Sequence, residues 1–179
     1  MDELIDILDE NGNSTGETAL KSKAHIGGLF HPTIHVWFYT KDGKILLQQR
    51  GKNKETYPLK WDVSVAGHIA AGESPEIGAF REVEEEIGIQ IQTDKLEKIG
   101  IRKKEKKHDN GIWDREFTHI FLYLIDENTQ LTKQDSEVEA LKWVSLNEFK
   151  FLVENEDGGL ISSAKERHLE IIRTITSKL

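Results

Sequence analysis

The stretch that most constrains this chain is residues 67–89, GHIAAGESPEIGAFREVEEEIGI. Gly67 is followed at fixed intervals by Glu73, Arg81, Glu82, Glu85, Glu86 and Gly88, with aliphatic residues at Val83 and Ile89. Ser74 is a good N-cap, Pro75 suits the first helical turn, and Gly88 suits the left-handed residue just past a helix end. The spacing therefore predicts a helix over 75–87. At roughly 100° per residue, and with Glu82 at zero, Glu85 lies at about −60° and Glu86 at about +40°, so three carboxylates share one face. Gly78 falls on the same face and adds no side chain there. Ile77, Phe80, Val83 and Ile87 gather opposite and are expected to meet a core, with Glu84 solvated at the rim.

Three carboxylates on one face repel one another unless they are protonated or bound to cations. Hard divalent ions with oxygen ligands resolve the repulsion, and Mg²⁺ keeps waters that a phosphate can replace. Arg81 stands one residue before Glu82 and four before Glu85, placed to hold a carboxylate. Alone, such an acidic run is an ordinary solvated helix face; the Gly67–Glu73 loop and Arg81 in register make the metal-binding reading the stronger one.

The pattern G-x5-E-x7-R-E-U-x-E-E-x-G-U, with U aliphatic, is met at every specified position, and the chain resembles the Nudix hydrolases. The resemblance implies an α/β/α sandwich with a mixed sheet, and cleavage of diphosphate linkages in nucleoside diphosphates joined to another group. It also implies Mg²⁺ or Mn²⁺ held by Glu82, Glu85 and Glu86, with the carbonyl of Gly67 as a further ligand. The general base stays open between Glu82, oriented by Arg81, and Glu116. A domain that uses the fold only to sense a nucleotide is the non-enzymatic alternative.

A second resemblance covers about the first 125 residues. The segments LDENGNSTGE, AHIGGLFH, WDVSVAGH and GIWDRE are similar to those of type 1 isopentenyl diphosphate isomerases, which share the Nudix fold. That similarity implies a second divalent metal site, for Zn²⁺ or Mn²⁺, at His25, His31, His68, Asp114 and Glu116. Asp114 and Glu116 lie two apart on a predicted strand, hence on one face. The isomerase cysteine position is Ala66, the chain has no cysteine, and the isomerase tyrosine falls near Lys104. Without an acid at position 66 the isomerase reaction is disfavoured.

The remaining chain fits one unit over 1–179, with residues 1–32 forming an N-terminal hairpin and connecting segment. Strands are expected at 4–8, 33–39, 45–49, 61–69, 89–91, 96–101, 116–125 and 141–144. Short helices are expected at 146–152 and within 162–179, where Leu169, Ile172, Ile175 and Leu179 recur at helical spacing. Residues 102–111, RKKEKKHDNG, read as a mobile basic turn. Arg50, at the end of LLQQR, and Trp113, beside Asp114, are candidate substrate contacts; Glu137 and Glu139 are weaker candidates for a catalytic base. A net charge of −8 argues against non-specific nucleic-acid binding. The acidic start MDELIDILDE lacks the basic and apolar regions of a signal peptide, and no apolar run reaches spanning length. The expectation is a cytoplasmic protein acting on a small-molecule diphosphate, with oligomeric state open and a homodimer admissible.

Overall fold

In the computed structural model residues 2–155 and 159–179 are described. Strands β1 (Leu4–Leu8) and β2 (Ser14–Leu20) form a separate antiparallel hairpin, and helix α1 (Lys21–Gly27) follows directly. A seven-stranded mixed sheet contains β3 (His31–Tyr39), β4 (Lys44–Arg50), β5 (Trp61–Asp62), β6 (Val65–His68), β7 (Glu97–Lys107), β8 (Trp113–Leu124) and β9 (Val138–Ser145). β3 runs parallel to β8 along its whole length. Its other edge is shared between β6, at Thr33–Val36, and β4, at Tyr39. β7 pairs with β8 at one side of the sheet, and β9 pairs with β4 at the other.

Alternation along β3 divides the sheet into two faces. Ile34, Val36 and Phe38, with Leu46 and Phe121, pack against Ala79, Val83 and Ile87 of helix α2 (Pro75–Ile87). Trp37, Tyr39, Ile45, Leu47, Ile120 and Leu122 pack on the other side. There they meet Leu146, Phe149 and Val153 of α3 (Leu146–Glu154) and Ile171, Ile172 and Ile175 of α4 (Lys165–Thr176). The α/β/α layering expected from the sequence is the observed one. Each buried Val, Ile, Leu or Phe contributes about 1.5–3 kcal/mol relative to exposure, so the two apolar faces fix which side of each strand is outward. Among the described residues no helix is long and apolar enough to cross a membrane.

Several local expectations are corrected. The basic run 102–107 is strand, not a turn: β7 extends to Lys107 and the reversal lies at 108–112. Arg102, Lys104 and Lys106 sit less exposed than their neighbours because they alternate along a paired strand. Residues 89–91 form no strand, and 61–69 divides into β5 and β6. Residues 18–25 split between the end of β2 and α1. Ile77, expected in the core, is exposed because it lies in the first turn of α2, beyond the sheet. Leu179 is likewise exposed, and Ile171 takes the buried position beside Ile172.

Candidate active site

Helix α2 has the predicted bounds. Ser74 Oγ accepts the Ile77 N–H at 3.3 Å, and Gly88 ends the helix at φ 71° with its N–H on the Glu84 carbonyl. This geometry sets the carboxylates one turn apart. Glu82 leans onto β6 at Gly67, where a Cβ would overlap the Glu82 carboxyl group. Only glycine allows strand and carboxylate to approach this closely. Glu86 is 3% exposed; its Oε2 accepts from Gln48 Nε2 at 2.8 Å and from the Ala66 N–H at 3.4 Å. Glu85 points outward and reaches Arg81 at 3.5 Å. Two of the three acids are thus enclosed, and the third stands at the mouth. Glu84 is exposed, as expected.

Arg81 is the hub of this site. Its guanidinium donates to Glu82 Oε1 at 2.9 Å, to Glu73 at 3.1 Å and to the His68 carbonyl at 2.9 Å, and it pairs with Glu3 at 3.2 Å. Glu73 itself accepts the Ala70 N–H at 3.1 Å, which closes the loop between β6 and α2. Glu3 brings the N-terminal hairpin into the same network, a contact that no local sequence signal announced.

The electrostatics are strained in a specific way. Burial, reinforced by Glu86 and resisted by Arg81, pushes the Glu82 carboxyl up to about 8. Burial also pushes Glu86 up to about 7, against the Gln48 hydrogen bond and the positive charge of Lys54. Two carboxylic groups that resist ionisation side by side suit a hard divalent cation.

The other predicted residues gather across β6. His68 and Ala66 face the side opposite Gly67, opposite Thr33 and His35 of β3. His31, at the start of β3, is buried. Its Nδ1 lies 2.9 Å from the Leu29 carbonyl, which makes Nδ1 the donor and leaves the buried Nε2 without a partner. His25 reaches the cluster from α1, with its Nε2 3.1 Å from His68 Nε2 and its Nδ1 3.4 Å from Asp114. Ligand nitrogens of His25, His31 and His68 all lie within 4.8 Å of one another. Burial holds His31 and His68 below the ordinary histidine range, so both are neutral and able to bind a cation.

Asp114 and Glu116 project from β8 toward this cluster, yet both are engaged by Lys104, at 2.8 Å and 3.3 Å. Burial opposes the charge of Asp114, but His25, Lys104 and His108 hold its carboxyl far below the usual range. Lys104 and His108 were not identified as partners from sequence; the alternation within RKKEKK was the available signal for Lys104, which sits directly across from Glu116 in the β7–β8 register.

Arg50 and Trp113 both have partners within the chain. Arg50 Nε donates to the Thr56 carbonyl at 3.0 Å, spending the guanidinium on its own loop. Trp113 alternates away from Asp114 and packs against Gly28, with the Arg115 guanidinium over its ring. Glu137 is paired with Lys54, and Glu139 lines a groove of about 520 Å³ beside β9, away from the histidine cluster.

The NUDIX domain family model matches residues 29–163. An uncharacterized Nudix hydrolase of Clostridium acetobutylicum is 37% identical over 165 residues, covering 90% of this chain and 79% of that protein. Nudix hydrolase 3 of Arabidopsis thaliana is 34% identical over 161 residues, 87% of this chain but 21% of that longer protein. An isopentenyl-diphosphate Delta-isomerase of Streptomyces avermitilis is 35% identical over 124 residues, 68% of this chain and 61% of that enzyme. Among solved structures, a Deinococcus radiodurans protein superposes with a TM-score of 0.67 at 16% identity, covering 96% of this chain and 98% of that one.

Proposed function

The chain belongs to the Nudix hydrolase family, and we propose that it hydrolyses a diphosphate linkage in a small molecule of the nucleoside diphosphate-X type, with Mg²⁺ or Mn²⁺ held by Glu82, Glu85, Glu86 and the Gly67 carbonyl. The observation that carries this reading is the pair of enclosed carboxyls, pushed up to about 8 and 7, with Glu82 against the bare backbone of Gly67 and Glu86 on the Ala66 N–H beside it. A divalent ion there would neutralise charge on the diphosphate and acidify a water. The protein's own part is positioning. Arg81 fixes Glu82, Glu73 and the His68 carbonyl as one rigid unit. Gln48 and the Ala66 N–H fix Glu86. Water attacks one phosphorus, the bridging P–O bond breaks, and a carboxylate takes the proton of the attacking water. Glu82, oriented by Arg81, is assigned that base, because Glu116 projects from β8 toward the histidine cluster on the other face of the sheet.

The isomerase reading rests on the Streptomyces avermitilis relative and on the clustered histidines. Against it stands Ala66, whose methyl group can supply no proton to an alkene. The test is a substrate panel of nucleotide sugars, dinucleoside polyphosphates, nucleoside triphosphates, coenzyme A and isopentenyl diphosphate with Mg²⁺ and Mn²⁺, followed by product mass. Metal-dependent release of two phosphorylated products from one panel member is expected. Conversion of isopentenyl diphosphate to its isomer by the unaltered protein would overturn the assignment.

A further inference from the structure

The five-residue metal set implied by the isomerase resemblance is assembled in space, but its two acids are not free. Lys104 Nζ lies 2.8 Å from Asp114 Oδ2 and 3.3 Å from Glu116 Oε2, so one ammonium group bridges both carboxylates. Strand register fixes this arrangement, since Lys104 stands across from Glu116 and its side chain shares that face. Asp114 has further partners: His108 Nε2 is 2.9 Å from Oδ2, and His25 Nδ1 is 3.4 Å from Oδ1. A carboxylate with three cationic or donor neighbours has little lone-pair capacity left for a metal. The histidines show the opposite condition. The Leu29 carbonyl takes the His31 Nδ1 proton, so that ring turns its Nε2 lone pair inward. The His31 Nε2 is buried and unpartnered, and the His25 and His68 Nε2 atoms face each other at 3.1 Å.

We propose that Lys104 is a resident counter-cation that withholds Asp114 and Glu116 from metal, so that His25, His31 and His68 alone form a three-nitrogen site for a divalent ion of the zinc class. Asp114 then acts through His25 as an orienting partner, and Glu116 serves as the counterion of Lys104. Three nitrogen ligands suit Zn²⁺ and leave coordination open, whereas the all-oxygen helix site suits Mg²⁺. The two sites differ in ligand type, so the proposal stands or falls separately from the diphosphatase reading.

The experiment is calorimetric titration of the full chain with ZnCl₂ in excess Mg²⁺, which occupies the carboxylate site. One Zn²⁺ equivalent is expected for the unaltered protein and none of it in His68→Ala. Glu116→Gln should leave the affinity within about twofold, where loss of a true ligand or its supporting partner costs about 10–100-fold. Lys104→Met should tighten Zn²⁺ by about tenfold or more, by removing a like charge and releasing both acids. In the Lys104→Met background, Glu116→Gln should then reverse most of the gain. Lys104→Gln serves the same purpose if the methionine variant misfolds. Co²⁺ absorption gives an independent readout: its visible spectrum should be the same in Glu116→Gln as in the unaltered protein and different in the Lys104 variants. Histidine-independent Zn²⁺ binding would overturn the site. Weakening of about tenfold or more by Glu116→Gln alone, or unchanged affinity in both Lys104 variants, would overturn the role of Lys104.

Discussion

Replacing Glu86 by glutamine should make the metal-free protein more stable and the working enzyme inactive. Glu86 moves from an ordinary 4.5 to about 7 on folding, a rise of 7 − 4.5 = 2.5. At about 1.4 kcal/mol per unit, ionising it in the native protein costs about 3 kcal/mol. The sign is that of a raised acid: between 4.5 and 7 the native state holds more protons than the unfolded chain, so stability falls as pH rises through that window. The cost is fully present above 7 and absent below 4.5. In Glu86→Gln the amide oxygen still accepts from Gln48 and Ala66, while the new NH₂ group needs an acceptor and loses about 1 kcal/mol without one. A net gain of about 2 kcal/mol corresponds to roughly 4–8 °C in melting temperature for a chain of this size. The assay is thermal unfolding in EDTA at about pH 8.5 and again near pH 4.5, where the charge cost is gone and the variant should be the less stable protein, by about 1 kcal/mol from its unsatisfied NH₂ group. Saturating Mg²⁺ should reverse the order, since a ligand at about 100 times its Kd stabilises by about 2.7 kcal/mol and the variant binds it poorly. A variant that is less stable in EDTA at high pH would refute the electrostatic argument; equal stabilisation of both proteins by Mg²⁺ would refute the ligand role instead.

Two other substitutions probe separate features. Gly67→Ala places a methyl group on the Glu82 carboxyl, so Glu82 must turn aside. Turnover should fall by on the order of a hundredfold with the far-ultraviolet circular dichroism unchanged, and a variant of normal activity would show that the close approach is incidental. Arg167→Ala removes the partner of Asp62, a buried carboxylate that Arg167 and His168 hold well below the usual range against the effect of burial. Leaving that charge unpaired should cost about 3–5 kcal/mol, or roughly 6–20 °C in a thermal melt near neutral pH; a shift of a degree or two would mean that His168 alone suffices.

The acidic helix was legible because every determinant is local. Ser74, Pro75 and Gly88 punctuate it, and rotation about one axis places Glu82 and Glu86 together. Strands were legible within a residue or two at Leu4–Leu8 of the hairpin and at His31–Tyr39 and Lys44–Arg50 of the central sheet, where apolar alternation is strong. The second half of β7, from Arg102, was not, because its alternation is between half-buried and exposed cations, and a run of lysines reads as solvated turn until β8 supplies a partner. The same ambiguity concealed Lys104. Trp113 follows a simpler rule: adjacency in sequence to Asp114 puts it on the opposite face of β8. The histidine cluster could be listed from resemblance but not assembled, because α1, β3 and β6 meet only through non-local pairing.

One short strand separates the two groups of ionisable residues. In β6 the order Val65-Ala66-Gly67-His68 alternates across the sheet. Gly67 turns to α2 and lets Glu82 reach the backbone. Ala66 and His68 turn the other way, His68 to His25 and His31, and Ala66 toward His35 of β3. The Ala66 N–H nevertheless lies on the Glu86 carboxylate, and the His68 carbonyl on Arg81. Side chains of β6 thus serve one face while its backbone serves the other. A substitution at 66 that keeps the N–H leaves the acidic site intact while changing what the opposite face can do. Within a fold shared by hydrolases and isomerases, that separation lets one position change chemistry without dismantling the carboxylate pair.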